Sequence, residues 1–226
     1  MSARRTAKQQ SVLLFSGGRD STLAAIRLSR IVERLILVTV TSGHLIGIDA
    51  VRRRLDELKR HLSADTRWIN MVQPPAMPSD RLFQAATCLP CHRSYTAIGA
   101  LVAAQLGAKS LAFGYTRYQS EWLEQTPEAT ECLARLLARR GINLLLPVYD
   151  IKSKEDAIAE LKRYGLSTVA LEQKCLQQQF NTKLERSKIK SEIAVWEQAL
   201  ILTLDALLGL PVQTITDTTL KRLEPV

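Results

Sequence analysis

The stretch "LLFSGGRDSTLAAI", residues 13–26, decides how the rest of the chain is read. An apolar run stops at Ser16-Gly17-Gly18 and restarts as a helix with Asp20 and Ser21 in its first turn. Two glycines at a strand-to-helix junction let a ligand approach the backbone, and the N–H groups of the helix's first turn point at whatever fills that space. Those donors and the helix dipole favour an anion. The alternative is a well-capped helix start, with Asp20 or Ser21 as the cap. Capping accounts for one polar residue but not for two consecutive glycines between serines directly after a buried strand. The reading is therefore a phosphate-binding turn. It has neither the Gly-x-x-x-x-Gly-Lys-Ser/Thr nor the Gly-x-Gly-x-x-Gly spacing of the two commonest phosphate loops.

Working outward, apolar segments alternate with amphipathic ones. "SVLLF" (11–15), "RLILVTVT" (34–41), "TRWINMV" (66–72), "SLAFGY" (110–115) and "NLLLPV" (143–148) read as strands. The stretches 20–33, 48–62, 92–106, 127–140 and 153–165 read as helices, the second with Val51, Leu55, Leu58 and Leu62 on one face and the last closed by Gly165. A Pro-rich loop, "QPPAMPS", occupies 73–79. This alternation predicts an α/β fold, a doubly wound parallel sheet with helices on both faces. Ligands of such sheets lie beyond the strand carboxyl ends, which puts Ser16, Thr41, Gly114 and the segment after Pro147 on one rim. Residues 184–209 carry Ile189, Ile193, Trp196, Leu200, Leu204 and Leu207 at three- and four-residue steps. They predict one long amphipathic helix that packs on the core or against a second subunit. The expected organisation is a phosphate-binding α/β domain over 1–180 and a C-terminal helical extension over 181–226, the extension offering a homodimer contact.

With 226 residues and 46% hydrophobic content, the chain can close a full core. No apolar run approaches the roughly 18–20 residues of a membrane span, and "MSARRTAKQQ" lacks a signal-peptide apolar segment, so no membrane partner and a cytosolic location are expected. Cysteines in that compartment are reduced, and Cys88-x-x-Cys91 is then a metal element, a redox pair or two buried thiols. Cys132 falls within a helical pattern and reads as core. The net charge of +9 favours a polyanionic partner such as RNA. The basic runs "RRR" (52–54) and "KLERSKIK" (183–190) are ordinary helix faces or an RNA track.

The order Ser16, Gly17, Gly18, Arg19, Asp20, Ser21 resembles the Ser-Gly-Gly-x-Asp-Ser signature of the PP-loop ATP pyrophosphatases. The resemblance implies that the loop grips the pyrophosphate of ATP, that Asp20 organises Mg²⁺, and that AMP is transferred to an oxygen of the substrate. "DIKSKEDAIAELKRYGL" (150–166) resembles the family's lysine-bearing helix start, so Lys154 is expected near the phosphates, its alternative being a surface lysine. Gly114 is expected where a side chain would intrude on the nucleotide.

"CLPCHRSYTAIGALVAAQLGAKSLAFGY" (88–115) with the later "LEQKC" resembles the PP-loop tRNA 2-thiocytidine and 2-thiouridine synthetases. In those, a Cys-x-x-Cys and one later cysteine hold an iron–sulfur cluster. The resemblance implies Cys88, Cys91 and Cys175 as ligands of a [4Fe-4S] cluster with one iron open to carry sulfur, and tRNA as partner. A second resemblance, over most of 11–175, is to 7-cyano-7-deazaguanine synthase, in "SGHLIGIDAVRRRLDEL", "LPCHRS", "TPEATECLARLL" and "PVYDIKSKEDAIAELKRYGL". That family closes a zinc site with four clustered cysteines, whereas here Cys175 is followed by "LQQQFNTK". The His-His-x-x-Asp segment of the thiolases is replaced by "GYTRYQSEW" (114–122), which leaves a nucleotide-binding regulator without turnover as a third reading. His92 reads as a ligand, a substrate contact or a helix-start histidine, and His44 as a substrate contact near the rim.

Overall fold

The computed structural model describes residues 10–73, 87–175, 183 and 185–220. The Pro-rich 74–79 and most of "LQQQFNTK" lie outside them. The chain begins β1 (Gln10–Leu14), α1 (Arg19–Ser29), β2 (Arg34–Ser42), β3 (Leu45–Ile46), α2 (Ile48–Leu58) and β4 (Arg67–Gln73). It continues with α3 (Leu89–Leu106), β5 (Ser110–Phe113), α4 (Pro127–Ala138), β6 (Asn143–Leu145), α5 (Lys154–Arg163), β7 (Lys174–Cys175), α6 (Arg186–Asp205) and β8 (Gln213–Thr219). Two short 3-10 turns, Arg117–Gln119 and Leu123–Gln125, lie between β5 and α4.

The main sheet has six strands in the order β6-β5-β1-β2-β4-β8, all parallel except β8. Strand order reverses at β1, which pairs with β2 on one side and β5 on the other. A crevice must open there, because the crossover helices on the two sides of β1 pack on opposite faces of the sheet. Side-chain alternation along each strand feeds two cores. Leu13, Leu35, Leu37 and Ala112 meet buried residues of α1, α2 and α5, such as Leu23, Leu55 and Leu161. Val12, Ile36, Val38 and Leu111 meet those of α3, α4 and α6, such as Ile98, Leu133 and Leu200. Burial on both faces explains why these strands read as unbroken apolar runs.

The segment read as a helical extension does more than cap the domain. Ile193, Trp196, Leu200 and Leu204 of α6 are buried, and Trp196 Nε1 donates to the Leu89 carbonyl at 2.9 Å. The outer face leaves Val195 and Leu202 exposed. Beyond α6, β8 adds an antiparallel edge to the main sheet through β4. Its sequence, "QTITDTT", carries one large apolar side chain, so hydrophobic patterning gives little sign of it. Among the described residues no helix is long and apolar enough to cross a membrane.

Candidate active site

At the switch point the β1–α1 turn is shaped by its own small residues. Gly17 has φ +82°, a left-handed conformation, and a Cβ there would collide with the carbonyl of Leu171. The Gly18 N–H donates to Ser16 Oγ at 3.2 Å, while Ser21 Oγ and Thr22 Oγ1 donate to the Gly18 carbonyl. Gly18 is the N-cap of α1 and no side chain caps the helix. The capping alternative for Asp20 and Ser21 is therefore not what the chain adopts: Ser21 is turned back onto Gly18, and Asp20 is engaged elsewhere. Gly114 stands opposite, and a Cβ there would come within 2.6 Å of Ser21 N. Gly114 lines the cavity at this turn as well, and its second neighbour is α1. Its lack of a side chain lets β5 approach the backbone of α1, so the close neighbour is the helix itself.

A cavity of about 740 Å³ opens at this turn, within the ordinary range for small-molecule sites. Ser16, Gly18, Arg19, Asp20, Ser21, Gly114 and Lys154 line it. Thr41 does not: its hydroxyl donates to Asn70 Oδ1 at 3.0 Å, because the last residues of β2 run on past the crevice beside β4. Its place on the wall is taken by Val38, Thr39, Val40 and His44.

Asp20 is the polar centre of the turn. Both its oxygens accept from Tyr118 Oη at 2.9 Å, and Gln119 Nε2 donates to Oδ2 at 2.8 Å. Burial pushes its carboxyl up to about 6 and the nearby Glu172 adds to the rise, while the Tyr118 hydrogen bond and Arg19 oppose it. Tyr118 and Gln119 come from "GYTRYQSEW", noticed in the sequence only for what it lacks.

Over the turn lies the segment that runs from α5 to β7. Leu171 presents its carbonyl to Gly17, and the Glu172 carboxylate lies against Gly18. Arg54 holds this strap. Its side chain is fully buried, and it donates to the carbonyls of Ser167, Val169 and Gly17 while pairing with Glu57. Arg19 adds a bond to the Thr168 carbonyl. The run "RRR" is thus not one surface. Arg52 is exposed and pairs with Asp49, but Arg54 points inward because three carbonyls of irregular backbone require a donor.

The far wall carries the cysteines. Cys88 is the N-cap of α3 and Cys91 sits in its first turn. Cys175 arrives on β7, whose antiparallel pairing with β3 sets it opposite Leu45. All three line the cavity that begins at the glycine turn. Their charges are mutually felt: burial raises the Cys91 thiol to about 11, with Cys175 the next contributor. Cys88 is raised further, by burial and then by Glu124, Cys91 and Cys175. His44 Nε2 lies 3.6 Å from Cys91 Sγ, with His44 Nδ1 held by Ser42 Oγ at 3.0 Å. Among the described residues no three His, Cys, Asp or Glu side chains stand together closely enough to grip a single metal ion. Cys132 is buried in the core on the inner face of α4.

Between turn and cysteines lie two groups that sequence reasoning underused. His92, half-buried, lies on the cavity wall with Nδ1 2.5 Å from Tyr115 Oη, and burial lowers its pKa. Glu124 lies in the cavity wall with its side chain 7% exposed. No local pattern singles it out, since Glu121, Gln125 and Thr126 beside it are polar as well.

No family model and no curated protein sequence matches the chain. Solved structures do resemble it. A 4-thiouridine synthetase solved in complex with RNA and bound ATP superposes with a TM-score of 0.60 at 19% identity, over 92% of this chain and 55% of that one. The U34-tRNA thiolase NcsA from Methanococcus maripaludis, solved with its [4Fe-4S] cluster, gives 0.51 at 14% identity, over 89% of this chain and 72% of that one. This chain thus spans little more than half the length of the first. At these identities the likeness is one of fold, and the fold is the doubly wound α/β sheet expected from the alternation of strands and helices.

Proposed function

We propose that the protein is an ATP-dependent adenylating enzyme that activates a base of transfer RNA for replacement of oxygen by sulfur. The observation that carries this reading is that one cavity is lined both by Ser16, Gly18, Arg19, Asp20 and Ser21 of the turn and by Cys88, Cys91 and Cys175. An oxygen of the base attacks the α-phosphorus of ATP, and pyrophosphate departs. Sulfur then attacks the base carbon, the carbon–oxygen bond breaks, and AMP leaves. The uncapped N–H groups of α1, its dipole and Lys154 stabilise the charge that accumulates on the leaving pyrophosphate. Asp20, with Glu172 close by, supplies the carboxylate for Mg²⁺.

The donor set of Cys88, Cys91 and Cys175 is all thiol, the ligand type that iron–sulfur clusters take, and its members line one cavity. Cys88, Cys91 and Cys175 would hold a [4Fe-4S] cluster, which supplies an iron without a protein ligand as the carrier of sulfur. Burial and neighbouring charge raise the Cys88 and Cys91 thiols, and a bound cation would offset both by favouring the thiolates.

The test is anaerobic purification followed by assay with ATP, Mg²⁺, unmodified transfer RNA and ³⁵S-labelled sulfide. The expected result is a brown protein containing iron and acid-labile sulfide, RNA-dependent pyrophosphate release and radiolabelled RNA. Pyrophosphate release that ignores RNA but responds to a small heterocycle would move the assignment to a deazaguanine-synthase-like reaction. ATP binding with no AMP formation would make the protein a nucleotide-binding regulator.

A further inference from the structure

Two side chains on the cavity wall have an unmet hydrogen-bonding demand, and one of them is a carboxylate. Among the described residues Gln173 Oε1 and Glu124 Oε2 are buried without a hydrogen-bond partner; Gln173 still donates through Nε2 to the Val40 carbonyl, whereas Glu124 Oε1 stands 4.0 Å from His92 Nε2, outside hydrogen-bonding range. The groups nearest to Glu124 do not supply a donor. The Tyr115 hydroxyl is engaged by His92, and Cys88 and Cys91 feel Glu124 through its charge without bonding to it. A buried acceptor without a donor costs about 1–3 kcal/mol, and more when charged. Such a group is retained where its partner arrives from outside the chain.

The surroundings define that partner. His92, Tyr95, Phe113 and Tyr115 line the same cavity, with ring centroids 5.8 Å apart for His92–Tyr95, 5.6 Å for His92–Tyr115 and 4.8 Å for Phe113–Tyr115. Aromatic walls accept flat rings, and a carboxylate among them accepts an N–H from the edge of such a ring. We infer that Glu124 is the specificity residue of the acceptor site, holding a nucleobase through an imino or exocyclic amino N–H on its edge. The inference deepens the proposed function and rests on it for the position of the acceptor between turn and cysteines. It implies discrimination by hydrogen bonding, the kind that rejects an analogue lacking the donor far more strongly than shape alone does.

The experiment measures binding, so it does not depend on turnover. Protein saturated with a non-hydrolysable ATP analogue and Mg²⁺ is dialysed against radiolabelled cytidine, uridine and guanosine. It is then dialysed against N4-dimethylcytidine, N3-methyluridine and N1-methylguanosine. At least one N–H-bearing nucleoside is expected to bind about 30-fold or more tightly than its methylated counterpart, as loss of a hydrogen bond to a charged acceptor implies. Glu124→Gln should reduce that ratio below about threefold while leaving affinity for the ATP analogue within about twofold. Glu124→Ala, checked by circular dichroism for an intact fold, should behave alike. The inference is overturned if no nucleoside binds, if the methylated forms bind equally well, or if either variant keeps the full discrimination. Failure of sulfur transfer to RNA with Glu124-dependent discrimination intact would remove the proposed reaction and leave the acceptor site standing.

Discussion

The glycine turn and the cysteine wall bound the same cavity but are built in opposite ways. The turn is contiguous: Ser16 to Ser21 act on one another through bonds spanning two to five residues, and Gly17 supplies the one backbone conformation that closes it. The wall is assembled from the start of α3, the two-residue strand β7 and the 3-10 turn that holds Glu124. Nothing local orients these pieces toward each other. The strap over the turn joins the two regions, since the one segment that leaves α5, residues 164–175, lies on Gly17, brings Glu172 to Gly18 and ends at Cys175. A local motif tolerates little change in its backbone, whereas an assembled wall depends on whatever holds its parts in register.

The largest expected effect comes from breaking the turn. Gly17→Ala forces a side chain into a left-handed residue and against the Leu171 carbonyl, and should lower stability by about 2–4 kcal/mol and abolish ATP binding. Gly18→Ala is the control, because the atom its Cβ would meet is the mobile end of Glu172. Equal losses for the two variants in urea melts would refute the claim that backbone geometry sets the turn.

Cutting the connection comes next. Arg54→Met leaves the carbonyls of Gly17, Ser167 and Val169 without their donor and Glu57 without its partner. A loss of about 3 kcal/mol is expected, with hydrogen exchange accelerated in the strap and in residues 16–21 together. Acceleration confined to the strap would show that the two regions are not tied by this residue.

Asp20 gives a pH-dependent test within the turn. Its pKa rises from 3.8 to about 6 on folding, so the native protein binds more protons than the unfolded chain between those values. Stability from this group therefore falls as pH rises from 4 through 6 and then stays level. Asp20→Asn should be more stable than the native protein by about 2 kcal/mol at pH 8 and no different near pH 4, while losing Mg²⁺-dependent pyrophosphate release. A constant difference across that range would contradict the assignment of burial as the cause.

Smallest in stability are the cysteines. Cys88→Ser, Cys91→Ser and Cys175→Ser replace half-buried thiols on a cavity wall, and each should shift unfolding by less than about 1 kcal/mol. ATP affinity should stay within about threefold, with iron content lost. A large drop in ATP affinity for Cys175→Ser alone would mean that the strap transmits the state of the wall to the turn.

What could be read from the sequence follows the same division. The alternation of strands and helices was visible because both faces of the sheet are buried, and each strand declares itself by an apolar run. The β3–β7 pair was missed because each partner has two residues, and β8 because an exposed edge strand of threonines has little hydrophobic signal. Thr41 was misplaced for want of the strand register, and Arg54 because a charge in a basic run looks like solvent-facing surface until the carbonyls around it are known.

The sequence by itself determined the parallel sheet and the glycine turn, since burial patterns and backbone conformation act over neighbouring residues, while the strand order, and with it the switch point, came from the tertiary structure. Only the tertiary structure decided that Tyr118 and Gln119 bind Asp20, that Glu172 lies on the turn, and that Glu124 shares a cavity with three cysteines. Those relations depend on strand pairing and helix packing between segments far apart in the chain, Asp20 and Gln119 being separated by 99 positions and Gly18 and Glu172 by more. No local rule of spacing carries that information.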